Sequence, residues 1–171
     1  VLCKREQILC NSALAQGGVA SVIDKENDAE ELHINDTLIA GGFKNNPDSL
    51  KILVHQGPQE VRRLMELGVD FDRDEEGNIH LTLEGGHSRH RILHHKDCTG
   101  REIEEKLIQA VRGKSNVTVL TNAMACDMKK VPGGYSVNVL KDGEFLNFHA
   151  PFCILCTGGI GRVYEYTTNS A

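Results

Sequence analysis

The sequence predicts an α/β nucleotide-binding domain whose sheet carries a β-meander insertion, and three observations carry that reading. A helical pattern that starts at Thr99 and stops at Gly113 leads into a compact strand-like run, Val117–Leu120. Three further strand-like runs follow, broken by Pro132-Gly133-Gly134 and by the hairpin signal Asp142-Gly143. A short apolar run, Phe152–Cys156, then empties into Thr157-Gly158-Gly159, the kind of strand end at which open α/β sheets collect ligands. Alternating βα units alone do not produce a meander, so it reads as an insertion.

Taken in order, Val1-Leu2-Cys3 resembles the end of a strand, and residues 11–23 are small, apolar and uncharged around the pair Gly17-Gly18. Asp28–Ala40 carries apolar residues at helical spacing. A second helical run opens at Pro47-Asp48, and Gly57-Pro58 within it predicts two helices or a kink. Residues 69–83 read as loop and short strands around the turn Glu76-Gly77-Asn78. Thr99-Gly-Arg-Glu102 has the form of a capping box, and Ile103, Leu107, Ala110 and Val111 mark one apolar face behind it. Met124–Val131, Tyr135–Leu140 and Glu144–His149 are the meander strands.

The 171 residues are 40% apolar and 25% charged, enough for one sizeable core. A net charge of −5 gives no general attraction to nucleic acid or to anionic membranes. No apolar stretch approaches the roughly 20 residues that span a bilayer, and no secretory signal is evident. The chain opens on Val1 rather than methionine and reads as a piece of a longer protein. Six cysteines scattered through helix- and strand-like segments suggest reduced thiols in a cytoplasmic protein. Cys153 and Cys156, three apart on a strand, would point to opposite faces, which favours core cysteines over a metal or redox pair.

Three constellations can carry chemistry. Ser12-Ala-Leu-Ala-Gln-Gly-Gly18 offers small residues and backbone amides, either as a cradle for a phosphate or planar ring or as a plain turn between core elements. Cys156-Thr-Gly-Gly159 is either a nucleotide approach or a tight turn. The third is Leu83–His95, where four of the eight histidines and two arginines fall within residues 87–95. It predicts a local positive field suited to a dicarboxylate, with Glu84 as the lone acid for a substrate ammonium; a solvated basic loop is the alternative. Metal binding by His90 and His94 needs a helix, and Gly85-Gly86 argue for a loop, so no metal is expected.

Ala15-Gln-Gly-Gly-Val-Ala20, Glu84-Gly-Gly-His-Ser88 through Arg91-Ile-Leu-His94, Asp97-Cys-Thr-Gly-Arg101, and Thr157-Gly-Gly159 followed by Val163–Asn169 occur in that order. Together they resemble the L-aspartate oxidases, within the succinate dehydrogenase/fumarate reductase flavoprotein family, over nearly the whole chain. The Glu84 motif separates the oxidases from the dehydrogenases. The resemblance implies an FAD-binding Rossmann-like domain lacking its first βα unit, with residues 1–171 a partial domain. On that reading the glycine-rich phosphate loop precedes Val1, and the capping and helical domains, with the proton-transferring arginine, follow Ala171.

The activity so implied is hydride transfer from L-aspartate to FAD, giving iminoaspartate for NAD (quinolinate) biosynthesis. O2 or fumarate reoxidises the flavin, and quinolinate synthase is the implied partner. Lys4 matches the position beside the adenosine. Asn11, Ser12, Ala13, Leu14, Ala15, Gln16, Gly17 and Gly18 match the stretch along the pyrophosphate toward the flavin ring, and Thr157 and Gly158 the later strand end. Glu84 matches the acid for the substrate amino group, and His87 and Ser88 share its loop. The order Ser88-Arg-His-Arg91 departs from the family's, so Arg89 and His90 receive no individual role. The rival readings are a fumarate reductase or succinate dehydrogenase flavoprotein subunit and a non-catalytic binding or assembly module. As an isolated piece the chain is expected to be inactive, to bind FAD weakly or not at all, and to self-associate through an uncovered sheet edge.

Overall fold

The computed structural model describes residues 1–159 and 163–166. The chain divides into two compact units, residues 12–107 and residues 1–11 with 108–171.

The unit of residues 12–107 is a small antiparallel sheet packed with helices. Strands β1 (Val19–Ala20), β2 (Leu81–Thr82) and β3 (Ile92–Leu93) lie in the order β1-β3-β2. Helix α1 covers Glu30–Ala40 and α2 covers Pro47–Glu66. The core gathers Val61, Val69, Phe71 and Leu93, with Ile79, Leu81 and Ile103 against it. Helix α2 is one continuous helix with Pro58 inside it, so of the two alternatives at Gly57-Pro58 the pair of separate helices is excluded. Leu50, Val54, Pro58 and Val61 recur at spacings of four, four and three and form its buried stripe. Burying three such aliphatic side chains, at about 1.5–3 kcal/mol each, outweighs the roughly 3 kcal/mol cost of an internal proline. Asn46 starts the helix by accepting from the amides of Asp48 and Ser49.

Helix α3 (Thr99–Arg112) forms where its apolar face predicts, but the capping box does not. Thr99 is buried and its Oγ1 accepts from the amide of His95 at 3.0 Å, while Glu102 Oε1 accepts from the amide of Asp70 at 3.0 Å. Both side chains thus tie the preceding loops to the helix instead of each accepting from the other residue's backbone amide.

In the other unit Val1–Cys3 runs parallel to Leu120, with Leu120 N donating to Val1 O and Cys3 N to Leu120 O, each at 2.9 Å. The expected strand at Val117–Leu120 is realised only as that bridge. The meander is β4 (Ala123–Val131), β5 (Gly134–Lys141) and β6 (Glu144–Ala150), antiparallel in the order β4-β5-β6, with a register shift between Ala125 and Asp127. Val139 on the central strand is fully buried.

Phe152–Cys156 is not a strand. A strand exists by pairing, and among the described residues this run has no ladder partner. Phe152 and Ile154 are more than four-fifths exposed. Cys153 and Cys156 are consequently exposed free thiols rather than core residues, as is Cys126, while Cys3, Cys10 and Cys98 are half-buried. No helix among the described residues is long and apolar enough to cross a membrane.

Candidate functional site

Two segments distant in sequence meet in the unit of residues 12–107. The first is Ser12–Gly18, an irregular and largely exposed stretch. Its inner side is fixed by two glycines at which any side chain would collide. A Cβ on Gly18 would stand 2.3 Å from both Ile92 Cγ2 and Leu93 O, so β3 packs directly on that backbone. A Cβ on Gly100 would stand 1.9 Å from Ser12 O, and Gly100 N donates to Ala15 O at 3.0 Å. The outer side carries only Ser, Ala, Gln and Gly residues besides Leu14, which is 60% exposed. A backbone held from behind and bare in front is the shape that lets a dinucleotide approach main-chain amides, so these residues fit FAD.

The second segment is the loop Glu84–Ser88. Glu84 Oε2 and Oε1 lie 3.7 and 3.9 Å from where a Cβ on Gly17 would sit. The two glycines therefore differ. Gly18 is required by packing on β3, whereas a Cβ on Gly17 would meet the Glu84 carboxylate at ordinary van der Waals contact. The packing at Gly18 is that of the turn alternative for this motif.

Beneath the loop lies a charged network that sequence reading missed. Arg91 is completely buried. Its Nε and Nη2 donate to Asp28 Oδ2 and Oδ1 at 2.8 and 2.7 Å, and its Nη1 donates to Asp36 Oδ2 at 2.6 Å. Asp36 Oδ2 also accepts from the amide and hydroxyl of Ser88, each at 2.8 Å. Nη1 of Arg91 further reaches Nδ1 of His87 at 3.3 Å, and the rings of His87 and His33 lie 5.7 Å apart. Buried His33 on α1 has no hydrogen-bond partner for its Nδ1 among the described residues.

The electrostatics follow from these contacts. Burial works to raise the Asp28 carboxyl, but hydrogen bonds from Arg91 and from the Ala29 amide outweigh it and hold the group below the ordinary carboxylate range. Burial opposes ionisation of Asp36 too, and the Ser88 amide, Arg91 and the Ser88 hydroxyl more than offset it. His33 is pushed below the usual histidine range, first by burial and then by the charge of Arg91. The Asp28 hydrogen bonds raise Arg91 further.

Two expectations are corrected here. The basic loop does not project a simple positive field, because Arg91 is turned inward and neutralised by two carboxylates. Glu84 is not the lone acid beside the cluster, since Asp28 and Asp36 back it from α1 and its lead-in. Ser88 faces Asp36 with its hydroxyl. The remaining loop residues go elsewhere: Arg89 donates to its neighbour's carbonyl, Ser88 O, His90 Nδ1 contacts Leu81 O, and His94 contacts Asp72 and His80. His90 and His94 thus sit in separate contacts, on no helix. Among the described residues no group of three His, Cys, Asp or Glu side chains is placed to hold a metal ion.

The other cofactor-matching residues belong to the second unit. Lys4 is exposed just beyond the Val1–Cys3 bridge, Asn11 ends the first stretch of that unit, and Thr157 and Gly158 are exposed, with Gly158 at φ +71°. His33 and Asp36 were legible only as polar positions within α1, and Asp28 only as a polar residue in its lead-in. The one usable signal was that Asp36 interrupts that helix's apolar spacing.

This combination defines a flavoprotein domain of the α/β type. The family model described as "FAD binding domain" matches residues 1–171, and the chain belongs to that family. It is 38% identical over 170 residues to an L-aspartate oxidase of Clostridium perfringens, covering 97% of this chain and 37% of that protein. It is 42% identical over 163 residues to an L-aspartate oxidase of Streptomyces coelicolor, covering 91% and 28%. Among solved structures, an E. coli quinol fumarate reductase superposes with a TM-score of 0.90 at 25% identity, covering 99% of this chain and 29% of that one. The chain thus spans about a third of the length of the curated relatives it matches.

Proposed function

We propose that this chain forms part of the FAD-binding domain of an enzyme that oxidises L-aspartate to iminoaspartate. FAD, when bound, supplies the two-electron acceptor for the hydride leaving Cα. The chain's own residues bind and orient. Backbone amides of Ser12–Gly18, with Lys4, Asn11, Thr157 and Gly158, hold the dinucleotide, and the Glu84 carboxylate takes the substrate ammonium. Positioning Cα–H against the acceptor is the protein's contribution to rate. The observation that supports this best is the Glu84 carboxylate, 3.7 Å from where a Cβ on Gly17 would sit, beside the exposed Ser12–Gly18 stretch. A carboxylate there favours an amino acid over succinate, which separates this reading from a succinate dehydrogenase or fumarate reductase flavoprotein.

The wider reading places the protein in the cytoplasm and in NAD biosynthesis, with O2 or fumarate reoxidising the flavin and quinolinate synthase consuming the product. The test is an assay of the purified full-length protein with L-aspartate and with succinate, alongside its flavin absorption spectrum. A flavin-loaded protein that turns over L-aspartate supports the proposal. Turnover of succinate in preference to L-aspartate overturns it.

A further inference from the structure

The guanidinium of Arg91 does more than neutralise two aspartates. Its Nη1, already donating to Asp36, also lies 3.3 Å from Nδ1 of His87, four residues earlier in the chain. A guanidinium has donors and no acceptor. Nδ1 of His87 must therefore present its lone pair, and in neutral imidazole the proton then resides on Nε2. The guanidinium cannot swing away to relax this, because Asp28 grips two of its nitrogens and its side chain is entirely buried. Ser88, next to His87, is pinned by two hydrogen bonds to Asp36, so the backbone carrying the imidazole is anchored as well. On its flank His87 meets the ring of His33, itself inside the protein.

We infer that Arg91 is a positioning residue that locks His87 in the Nε2–H tautomer, so that the loop offers one acceptor, the Glu84 carboxylate, and one neutral donor, His87 Nε2–H. That pairing fits a ligand bearing an ammonium and a carboxylate, and this part of the inference rests on the function proposed above. An imidazole with the opposite tautomer would offer a lone pair and repel a carboxylate. The arrangement thereby gives the loop a preference for amino acids whose second anionic group needs a donor, without adding a second fixed positive charge.

The test uses the full-length protein with 15N-labelled histidine. Two-bond proton–nitrogen correlations report the tautomer of each ring, and the His87 signals are identified by their loss in His87→Gln. The expected result, in the absence of substrate, is an unprotonated Nδ1 and a protonated Nε2 for His87. Arg91→Lys keeps the positive charge but lacks the planar fork, and it should shift the His87 signals toward a mixture of tautomers. If Arg91→Lys does not fold, the wild-type spectrum alone decides. A protonated Nδ1 in wild-type protein overturns the inference.

Kinetics supply the second arm. The amide nitrogen of Gln reaches the place of Nε2, whereas that of Asn stands at the place of Nδ1. His87→Asn should raise the KM for L-aspartate about tenfold or more, the loss of a hydrogen bond to a charged group, with kcat little changed. His87→Gln should stay within about threefold of wild type. Equal KM values for the two variants overturn the ligand half. Wild-type protein that fails to turn over L-aspartate refutes the functional reading separately, since the tautomer is read without substrate.

Discussion

Replacing Arg91 by Met removes the charge at the centre of the loop's foundation while keeping an unbranched side chain of similar reach. The triad of Asp28, Arg91 and Asp36 carries one positive and two negative charges, all with side chains less than 10% exposed. Loss of either aspartate charge leaves a neutral ion pair, whereas loss of the guanidinium leaves two buried carboxylates with no counterion. Breaking a buried pair from one side costs about 3–5 kcal/mol, so Arg91→Met belongs at or above that figure. Asp36→Asn keeps an acceptor oxygen for Ser88 and leaves the bidentate Asp28 pair, so it should cost about 1–2 kcal/mol, the worth of a weakened charge-assisted bond. Hydrogen exchange followed by mass spectrometry on peptides covering 28–40 and 84–95 reads this locally in the full-length protein. At about 1.4 kcal/mol per factor of ten, Arg91→Met should speed exchange there by about 10²-fold or more and Asp36→Asn by about tenfold. Equal acceleration by the two variants, or less than tenfold for Arg91→Met, refutes the reasoning.

Glu84→Gln should lower kcat/KM for L-aspartate about 10–100-fold through loss of a charge-assisted hydrogen bond and affect fumarate reduction less; equal losses remove the ammonium role. Gly18→Ala should abolish folding of the unit, since its Cβ would overlap Leu93 O, while Gly17→Ala should fold normally and lose flavin affinity, read by fluorescence titration. Acidification should destabilise the same unit in two stages. The folded state keeps His33 below its ordinary range, so the unfolded chain binds the extra proton and stability falls as pH drops below about 6.5. Asp28 and Asp36 are likewise held low, and their contribution is lost as pH falls below about 4, so His33→Gln should remove only the first stage of a melting-temperature profile. The 171-residue chain on its own should self-associate through exposed Phe152, Ile154 and Leu155, and a monomer by size-exclusion chromatography contradicts that.

The elements legible in the sequence were those with a local cause. The meander announces itself through alternating runs and the turns at Gly133-Gly134 and Asp142-Gly143, and each strand lies within a residue of its expected bounds. Helix α3 follows from its apolar face even though its cap is built differently. What misled was chemistry settled at a distance. Pro58 stays inside α2 because the buried stripe outweighs its local cost, and Thr99 and Glu102 find partners 4 and 32 residues back instead of each other. The run Phe152–Cys156 has strand composition, but composition supplies no partner. At the site, Glu84 and the glycine segment were readable as motifs, whereas Asp28 and Asp36 were not. Their meaning comes from Arg91, 63 and 55 residues away, and no periodicity encodes that pairing.

The most direct measurement is a crystal structure of the full-length protein with FAD and L-aspartate bound. The account predicts the Ser12–Gly18 amides against the dinucleotide, with Glu84 within hydrogen-bond distance of the substrate ammonium. A substrate amine that contacts other groups, with Glu84 turned to solvent, contradicts it.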